Sequence, residues 1–232
     1  MLKEITVKNF TLQYELTFKK VKNINIRITP DKRVMVSANR FVSEGAVEEF
    51  IVSKIEFIKK ALAKYEQSSQ FTFSDNEKVS ILGKEKTLIT VKRSKNYVSV
   101  TEDFLIISVT DTEDTALKKK TFEKWLKKEA EVFIKEICES VYPDFKEVTP
   151  FPVLKFRKMK TRWGSCQPNK NILTFNTMLL LTPFECIKYV VIHEFCHFIC
   201  PDHSKKFYNN LSRFMPDYKI HREKLKSYNI YF

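Results

Sequence analysis

The stretch TPFECIKYVVIHEFCHFICPDH, residues 182–203, decides the fold and the chemistry expected of this chain. It opens with signals for the start of a helix. Thr182 is a good N-cap, Pro183 suits the first helical position, and Glu185 completes a capping box. Apolar residues then recur at helical spacing. We therefore predict a helix that runs through His193-Glu194-Phe195-Cys196-His197.

Two histidines of this helix have the spacing of metal ligands. Because four residues advance a helix by about 400° and ~6 Å, His193 and His197 leave the same face one turn apart. Both imidazoles can then reach one zinc ion at about 2.0–2.1 Å. Glu194 lies beside the metal, where a carboxylate can take a proton from metal-bound water. The pattern predicts that Glu194 is the catalytic general base.

A catalytic zinc site needs a third protein ligand and one open position. His203 follows His197 by six residues, and Pro201-Asp202 between them ends the helix and turns the chain back. Metzincins use the same separation with a glycine midway, where this chain has Cys200. We therefore predict one Zn2+ per chain, held by His193, His197 and His203, with the turn made in a different way.

Composition restricts the class of protein. The chain has 232 residues, of which 43% are hydrophobic and 30% are charged, as in a soluble globular protein. Its five cysteines are odd in number and include no CxxC pair, which argues against a cysteine-based zinc finger and favours reduced thiols. No secretory signal follows Met1, and no run approaches the ~18 apolar residues of a membrane span. We expect a cytoplasmic protein with no membrane partner.

The formal net charge of +13 attracts nucleic acid or acidic partners. The densest basic stretch lies within a predicted strand over residues 153–163. Alternation along such a strand would place Lys158, Lys160 and Arg162 on one face, with Lys155 and Arg157 on the other. Because the basic residues are spread along the whole chain, nucleic acid is a partner that the sequence permits but does not favour.

The first half of the chain is predicted to be rich in strands. Residues 23–28 alternate apolar and polar side chains, and turn chemistry at 29–32 joins them to a second strand that begins at Val34. One helical pattern runs from Glu44 to about Tyr65. Four strand-like segments follow, and a long helix then extends to about Val141. No internal repeat is evident. The four segments lie near 78–82, 87–92, 96–101 and 104–109.

These patterns predict an α+β protein. A β-rich N-terminal region with one helix spans 1–112, and the domain that contains the His–Glu helix spans 113–232. Within that domain we predict strands at 153–163 and 172–176. Gly164 between them is expected to permit a tight turn or a close backbone approach.

Two residues near these strands are candidates for substrate binding. Arg162 either holds a substrate carbonyl oxygen or phosphate, or pairs with a carboxylate of the fold. Asn176 either orients a substrate backbone or caps a turn. Ile172–Asn176 is a candidate edge strand for pairing with a peptide. Four further residues are candidates for stabilising an oxyanion: Tyr208, Arg213, Tyr218 and His221.

The C-terminal half resembles a known family. The resemblance covers about residues 150–222 closely and reaches more weakly into the N-terminal half. It points to the YgjP-like metallopeptidase family, which is related to the SprT-like and WLM zinc proteases. It implies a minimal zincin-like domain in which zinc is held by His193, His197 and His203. The residues that carry it are Arg162-Trp163-Gly164-Ser165-Cys166, Asn176, Tyr189 to His197, His203-Ser204, Phe207 and Pro216-Asp217-Tyr218.

The sequence therefore predicts a zinc-dependent hydrolase of the metallopeptidase type, acting on a peptide or protein substrate. Two alternatives stay open. The same metal site could hydrolyse a nucleotide phosphoanhydride, with Arg162 and nearby lysines binding phosphate. The chain could also be a non-catalytic, basic nucleic-acid-binding module with a metal site, although structural zinc is usually bound by four ligands and is rich in cysteine.

Overall fold

The computed structural model describes residues 1–29, 31–67 and 71–228 of the chain. Strands dominate the N-terminal part and helices the C-terminal part, so the predicted α+β class is confirmed. The chain divides into two compact units, Met1–Gln70 and Phe71–Phe232, each with its own hydrophobic core. Pro30, in the predicted turn at 29–32, lies outside the described residues.

The first unit contains a four-stranded sheet in the order β1-β2-β4-β3. β3 and β4 pair antiparallel, which confirms the predicted hairpin, and β2 runs parallel to β4. The sequence analysis does not predict β1 and β2, although Leu12, Tyr14 and Leu16 alternate into the core. The strands are β1 Leu2–Val7, β2 Phe10–Phe18, β3 Asn25–Ile28 and β4 Val34–Ala38.

Two helices complete the first unit where one is predicted. α1 spans Glu44–Ser53, and the Ser43 hydroxyl caps it by accepting a hydrogen bond from the backbone N–H of Ala46. α2 spans Ile55–Gln67. Lys54 separates them with non-helical backbone angles. Because a break of one residue leaves the apolar spacing intact, the sequence pattern does not reveal it.

The second unit opens with a sheet that repeats the connectivity of the first. In both sheets one hairpin follows another, and the second strands of the two hairpins run parallel. Both opening hairpins have two-residue loops, because Val7 pairs with Phe10 and Ile81 with Lys84. The chain therefore contains a repeat of topology that its sequence does not show. The strands are β5 Lys78–Ile81, β6 Lys84–Lys92, β7 Tyr97–Val100 and β8 Phe104–Val109, in the order β5-β6-β8-β7.

A long helix joins this sheet to the rest of the second unit. α3 spans Thr115–Val141, and Asp114 caps its first turn. α3 packs on β7 and β8, and also on a later strand, Val153–Arg157, and a later helix, Phe184–Ile199. Buried side chains from all of these elements form one core. The boundary between the units therefore lies before residue 71 instead of near residue 112, because the sheet of residues 78–109 buries its apolar face against α3.

A three-stranded sheet precedes the His–Glu helix. Its strands are β9 Val153–Arg157, β10 Gly164–Gln167 and β11 Ile172–Asn176, in the order β10-β11-β9. The predicted strand at 153–163 is too long, because β9 ends at Arg157. Only Lys155 and Arg157 therefore follow the predicted alternation. Lys158 lies beyond the strand, where its ammonium pairs with Glu123 at 2.7 Å.

Three helices follow this sheet: α4 Phe184–Ile199, α5 Lys205–Phe214 and α6 Tyr218–Leu225. The start of α4 differs from the predicted capping box. The buried Thr182 hydroxyl donates to the carbonyl of Leu179 at 2.8 Å, and Pro183 occupies the cap position. Thr182 does not cap α4, because it ends a short 3-10 helix, Thr177–Leu181, and its hydroxyl bonds within that turn. Among the described residues, no helix is long and apolar enough to cross a membrane.

The turn between β5 and β6 provides a test of this packing. Gly83 has a φ of +81°, and a Cβ built on it would lie 3.1 Å from Pro183 at the start of α4. We expect Gly83→Ala to lower the free energy of unfolding by about 1–3 kcal/mol, because alanine is strained at positive φ. Urea denaturation measures this change. Gly45→Ala is the control, since Gly45 lies in α1 with open space around it, and it is expected to leave stability unchanged or higher.

Candidate metal centre

The predicted ligand pair lies on α4 as its spacing requires. Ile187, Val191 and Phe195 are fully buried and anchor the helix in the core. His193 and His197 are only partly exposed, and their ring centroids lie 5.0 Å apart. Because α4 is fixed by its apolar side, the two imidazoles are held in place before any metal binds.

The turn after α4 brings the third histidine back to this pair. The helix ends at Ile199, and Cys200 adopts an extended conformation with a φ of −145°. Asp202 accepts hydrogen bonds from the Cys200 thiol at 3.1 Å and from the backbone N–H of Ser204 at 3.3 Å. An extended residue at position 200 needs no glycine. This explains how the turn is made where metzincins have a glycine.

The three imidazoles converge on one point. The Nε2 atoms of His193 and His203 lie 3.0 Å apart. Ligand atoms of all three histidines lie within 4.8 Å of one another. Two nitrogens in a tetrahedral zinc shell are separated by about 3.3 Å, given zinc–nitrogen bonds of about 2.0–2.1 Å. The spacing therefore fits a single zinc ion.

The protonation states also suit a metal. Burial, followed by the neighbouring His197 and His203, lowers the pKa of His193 to about 3. Burial is also the largest cause that lowers the pKa of His197. Both rings are therefore neutral near pH 7, which is the ligand form of histidine. Nδ1 of His197 lies 3.3 Å from the carbonyl oxygen of Cys200, so it can donate there and leave Nε2 for the metal.

Among the described residues, Nδ1 of His193 lacks the kind of hydrogen bond that Nδ1 of His197 can form. It is buried and has no hydrogen-bond partner within the described part of the chain. Metal-binding histidines usually direct their other ring nitrogen to a carbonyl or carboxylate, and of the two helix histidines only His197 has such a partner in the regions that the structure describes. The orientation of His193 therefore depends on packing.

An aromatic ring supplies that packing. Phe207 is fully buried, and its ring centroid lies 4.9 Å from His193, 4.7 Å from His197 and 4.9 Å from His203. One side chain thus supports all three imidazoles. The sequence analysis names Phe207 only among the residues that carry the family resemblance. The signal for its role is its position on α5, four residues after His203.

Glu194 lies against a strand. Its side chain is buried, with 5% exposed. A Cβ built on Gly164 of β10 would lie 2.6 Å from Oε1 of Glu194. The predicted close backbone approach at Gly164 is therefore confirmed, and its partner is the predicted catalytic base. Any side chain at position 164 would displace the carboxylate.

The environment of Glu194 favours its protonated form. Burial raises the pKa of Glu194 to about 8, against the opposing effects of Arg162 and of a backbone hydrogen bond from Cys166. Burial, followed by Glu194, raises the pKa of the Cys166 thiol to about 12, so this thiol stays neutral. Cys166 therefore acts on the site through its backbone, while Arg162 acts through its charge.

A family model described as YgjP-like, metallopeptidase domain, matches residues 22–228. The chain belongs to this family. The resemblance noted in the sequence is thus confirmed, and the chain is a metallopeptidase by family. The match also includes most of the first compact unit, which the close part of the resemblance does not reach.

Two solved structures are similar over a part of this YgjP-like chain. The metallopeptidase zymogen of Methanocaldococcus jannaschii jannalysin is 20% identical, with a TM-score of 0.36 over 40% of this chain and 93% of that one. The metallopeptidase zymogen of Pyrococcus abyssi abylysin is 17% identical, with a TM-score of 0.37 over 40% and 92%. No curated protein matches the sequence.

Asn176 holds neighbouring loop backbone in place and does not face a substrate. It is fully buried. Its amide nitrogen donates to the carbonyls of Met159 and Arg162 at 2.8 and 2.9 Å, and its oxygen accepts from the N–H of Met178 at 3.2 Å. Of the two roles considered for Asn176, the structure favours the turn cap. Substrate binding is disfavoured because the amide is enclosed and its groups are already engaged.

The candidate edge strand is also corrected. Ile172–Asn176 is the central strand of its sheet, between β9 and β10. It cannot accept a further strand, because both of its sides are already paired. β10 is the edge strand beside Glu194. The sequence cannot show this order, because β11 pairs with a strand that precedes β10 in the chain.

The four oxyanion candidates lie in different surroundings. Tyr208 and Tyr218 stack with centroids 5.9 Å apart, and Tyr208 lies 6.3 Å from His203. Nε2 of His221 is hydrogen-bonded to Oδ2 of Asp217 at 2.8 Å. Arg213 is exposed on α5.

Arg222, which sequence reasoning missed, has its guanidinium carbon 5.6 Å from the centroid of the Tyr208 ring. Tyr189 completes this group, with its ring 5.7 Å from His193. Burial raises the pKa of Tyr189 to about 12, Arg222 opposes this rise, and Tyr208, Glu194 and Tyr218 add to it. The phenols and Arg222 thus surround the same side of the metal centre.

The contact between Gly164 and Glu194 predicts a selective defect. We expect Gly164→Ala to lower peptidase turnover by at least about 10²-fold while zinc content stays unchanged, because the new methyl group displaces the base and leaves the imidazoles in place. Turnover of labelled casein and zinc by atomic absorption give the two values. Ser165→Ala, on the opposite face of the strand, should retain activity. Full turnover in Gly164→Ala would contradict this account.

The role of Asn176 predicts a loss of stability. Asn176→Ala removes three hydrogen bonds and leaves buried partners unsatisfied. We expect it to lower the free energy of unfolding by about 2–4 kcal/mol in urea denaturation. Asn169→Ala, an exposed position in a turn, is the control and should change stability by less than about 0.5 kcal/mol. If Asn176→Ala is as stable as wild type and only its KM is raised, Asn176 binds substrate and the structural role is wrong.

Proposed function

We propose that the chain is a zinc-dependent peptidase. In this proposal His193, His197 and His203 hold one zinc ion per chain, and Glu194 is the general base. One observation carries it: three imidazole nitrogens converge within 4.8 Å beside a buried carboxylate. Three neutral nitrogen ligands that leave a fourth position open are typical of catalytic zinc.

Bound zinc would lower the pKa of a water molecule and polarise the carbonyl of an amide. A nearby dication also favours the carboxylate form of Glu194, whose pKa of about 8 in its absence is high enough for the residue to hold a proton. Glu194 then takes a proton from the attacking water and passes it to the nitrogen of the leaving amine. The bond between carbonyl carbon and nitrogen breaks, and one water is consumed per amide.

The strand beside Glu194 supports a peptide as the substrate. β10 is an edge strand, and its residues Gly164 and Cys166 already contact Glu194 through Cα and the backbone N–H. A peptide that pairs with the free side of β10 would be held along the carboxylate by main-chain hydrogen bonds. Such pairing recognises the peptide through its main-chain groups and requires no particular side chain. It therefore suits an unfolded protein segment.

The phosphoanhydride alternative has less support. Lys155 and Arg157 lie on β9, two strands from β10, at a distance of about 10 Å. Lys158 is paired with Glu123. Of the basic stretch, only Arg162 is close enough to Glu194 to change its pKa. One guanidinium is too little positive charge to bind a triphosphate, which needs several cations or a loop of backbone N–H groups.

Zinc content and hydrolysis, measured on matched variants, test the proposal. Wild type and Glu194→Gln are expected to bind one zinc per chain, and His203→Ala less, because it loses a ligand. Turnover of labelled casein should fall by at least about 10²-fold in both variants. His221→Gln, which changes the histidine outside the cluster, should keep its zinc.

Other outcomes decide against the proposal. Hydrolysis of nucleoside triphosphates without casein cleavage, lost in Glu194→Gln, would select the phosphoanhydride alternative. DNA binding with a steep salt dependence, unchanged in Glu194→Gln and without any turnover, would select the nucleic-acid-binding module. A wild-type protein that binds no zinc would exclude a zinc peptidase.

A further inference from the structure

Bound zinc would polarise the amide carbonyl, and a hydrogen-bond donor beside the same oxygen would accelerate hydrolysis further. The carbonyl oxygen gains negative charge as the tetrahedral intermediate forms, and donors placed beside it accelerate the reaction. Glu194 is engaged in moving protons, and the three histidines are assigned to the metal. A side chain at the rim of the site can supply such a donor.

We propose that the hydroxyl group of Tyr208 is this donor, an inference that rests on the proposed peptidase function. The hydroxyl donates a hydrogen bond to the developing oxygen anion. Tyr208 is thus a catalytic residue, and Arg222 is a positioning residue that acts through it.

The position of Tyr208 is fixed relative to the metal ligands. Its ring centroid lies 6.3 Å from His203 and 5.4 Å from Phe207. Phe207 in turn contacts all three imidazoles. Tyr208 and Phe207 are neighbours on α5, so one helix positions both the phenol and the ring that packs on the histidines.

The ring of Tyr208 is held while its hydroxyl stays available. Tyr218, which is buried, stacks on the ring with an interplanar angle of 19°, and the guanidinium of Arg222 lies 5.6 Å from its centroid. The side chain is partly exposed, and its hydroxyl forms no hydrogen bond to any described residue. A donor that is oriented in advance and has no internal acceptor is free to bind a substrate oxygen.

Arg222 adds charge to this arrangement. Within the described residues, no carboxylate forms an ion pair with Arg222, so its positive charge is not neutralised locally. A cation beside a phenol strengthens the hydrogen bond that the phenol donates to an anion. Arg222 lies against Tyr208, whose ring is 6.3 Å from that of His203, so its charge is on the side of the metal centre.

The other donors fit less well. Tyr189 is 6% exposed and projects from α4 itself, whereas Tyr208 is partly exposed, so Tyr208 is the more accessible of the two phenols. Arg162 lies on the side of Glu194, where a cation acts on the base instead of on the oxygen anion. His221 is bonded to Asp217.

Tyr208→Phe tests the proposal, because it removes only the hydroxyl. With zinc-loaded protein and labelled casein, we expect kcat to fall by about 10²–10³-fold. KM should change by less than about threefold and zinc content should stay at one per chain, because the donor acts in the transition state and not on the metal. Tyr142→Phe, the same change at a tyrosine that packs on Phe151 away from the site, is the control and should retain wild-type kinetics.

A blocked phosphinic tripeptide gives a second readout that needs no turnover. Its tetrahedral phosphinate resembles the intermediate, so Tyr208→Phe should weaken its binding by a factor similar to the loss in kcat. Arg222→Gln is expected to lower kcat while the Tyr208 hydroxyl is present, and to have little further effect in Tyr208→Phe.

Several outcomes would overturn the assignment of Tyr208. These are a kcat within twofold of wild type in Tyr208→Phe, a loss of zinc that accompanies its loss of activity, and equal phosphinate affinity in the two proteins. An Arg222→Gln effect that is undiminished in Tyr208→Phe would assign the donor to Arg222 instead. If wild type cleaves no casein, the peptidase proposal fails, and phosphinate affinity still decides the role of Tyr208.

Discussion

The close approach of β10 to α4 is the constraint on which the site depends. The Cα of Gly164 lies so near to Glu194 that no side chain can stand between them. This contact buries the carboxylate, raises its pKa and holds it beside the edge of the sheet. The same approach places the carboxylate beside the free side of β10. In the proposed function, the position of the general base and the path of an extended substrate therefore depend on one contact between backbone and side chain.

The three histidines depend on a different kind of support. His197 has a hydrogen-bonded partner in the carbonyl of Cys200, whereas His193 relies on packing. Phe207 contacts all three rings, so an apolar side chain holds the polar cluster together. Burial also lowers the pKa values of His193 and His197, which keeps these two imidazoles neutral and available to a metal.

Much of the site was predictable because it is local in sequence. The helix, the spacing of His193 and His197, the base between them and the returning histidine all lie within 22 residues of printed sequence. A helical period converts such spacing directly into geometry. The repeated sheet topology shows the opposite case. Two four-stranded sheets share one connectivity, yet the sequence shows no repeat, because many side-chain sets satisfy the same strand pairing.

The sequence by itself determined the α+β class, the three histidines as a convergent group and the family of the chain. Only the tertiary structure decided which strand is the edge, where the units divide, and that Asn176 is enclosed while Tyr208 is not. Strand order, burial and the neighbours of Arg222 depend on contacts between residues far apart in the chain. A local pattern shows which face of an element is apolar, but not which element covers that face. The covering element is decided by how all the apolar faces pack together into one core.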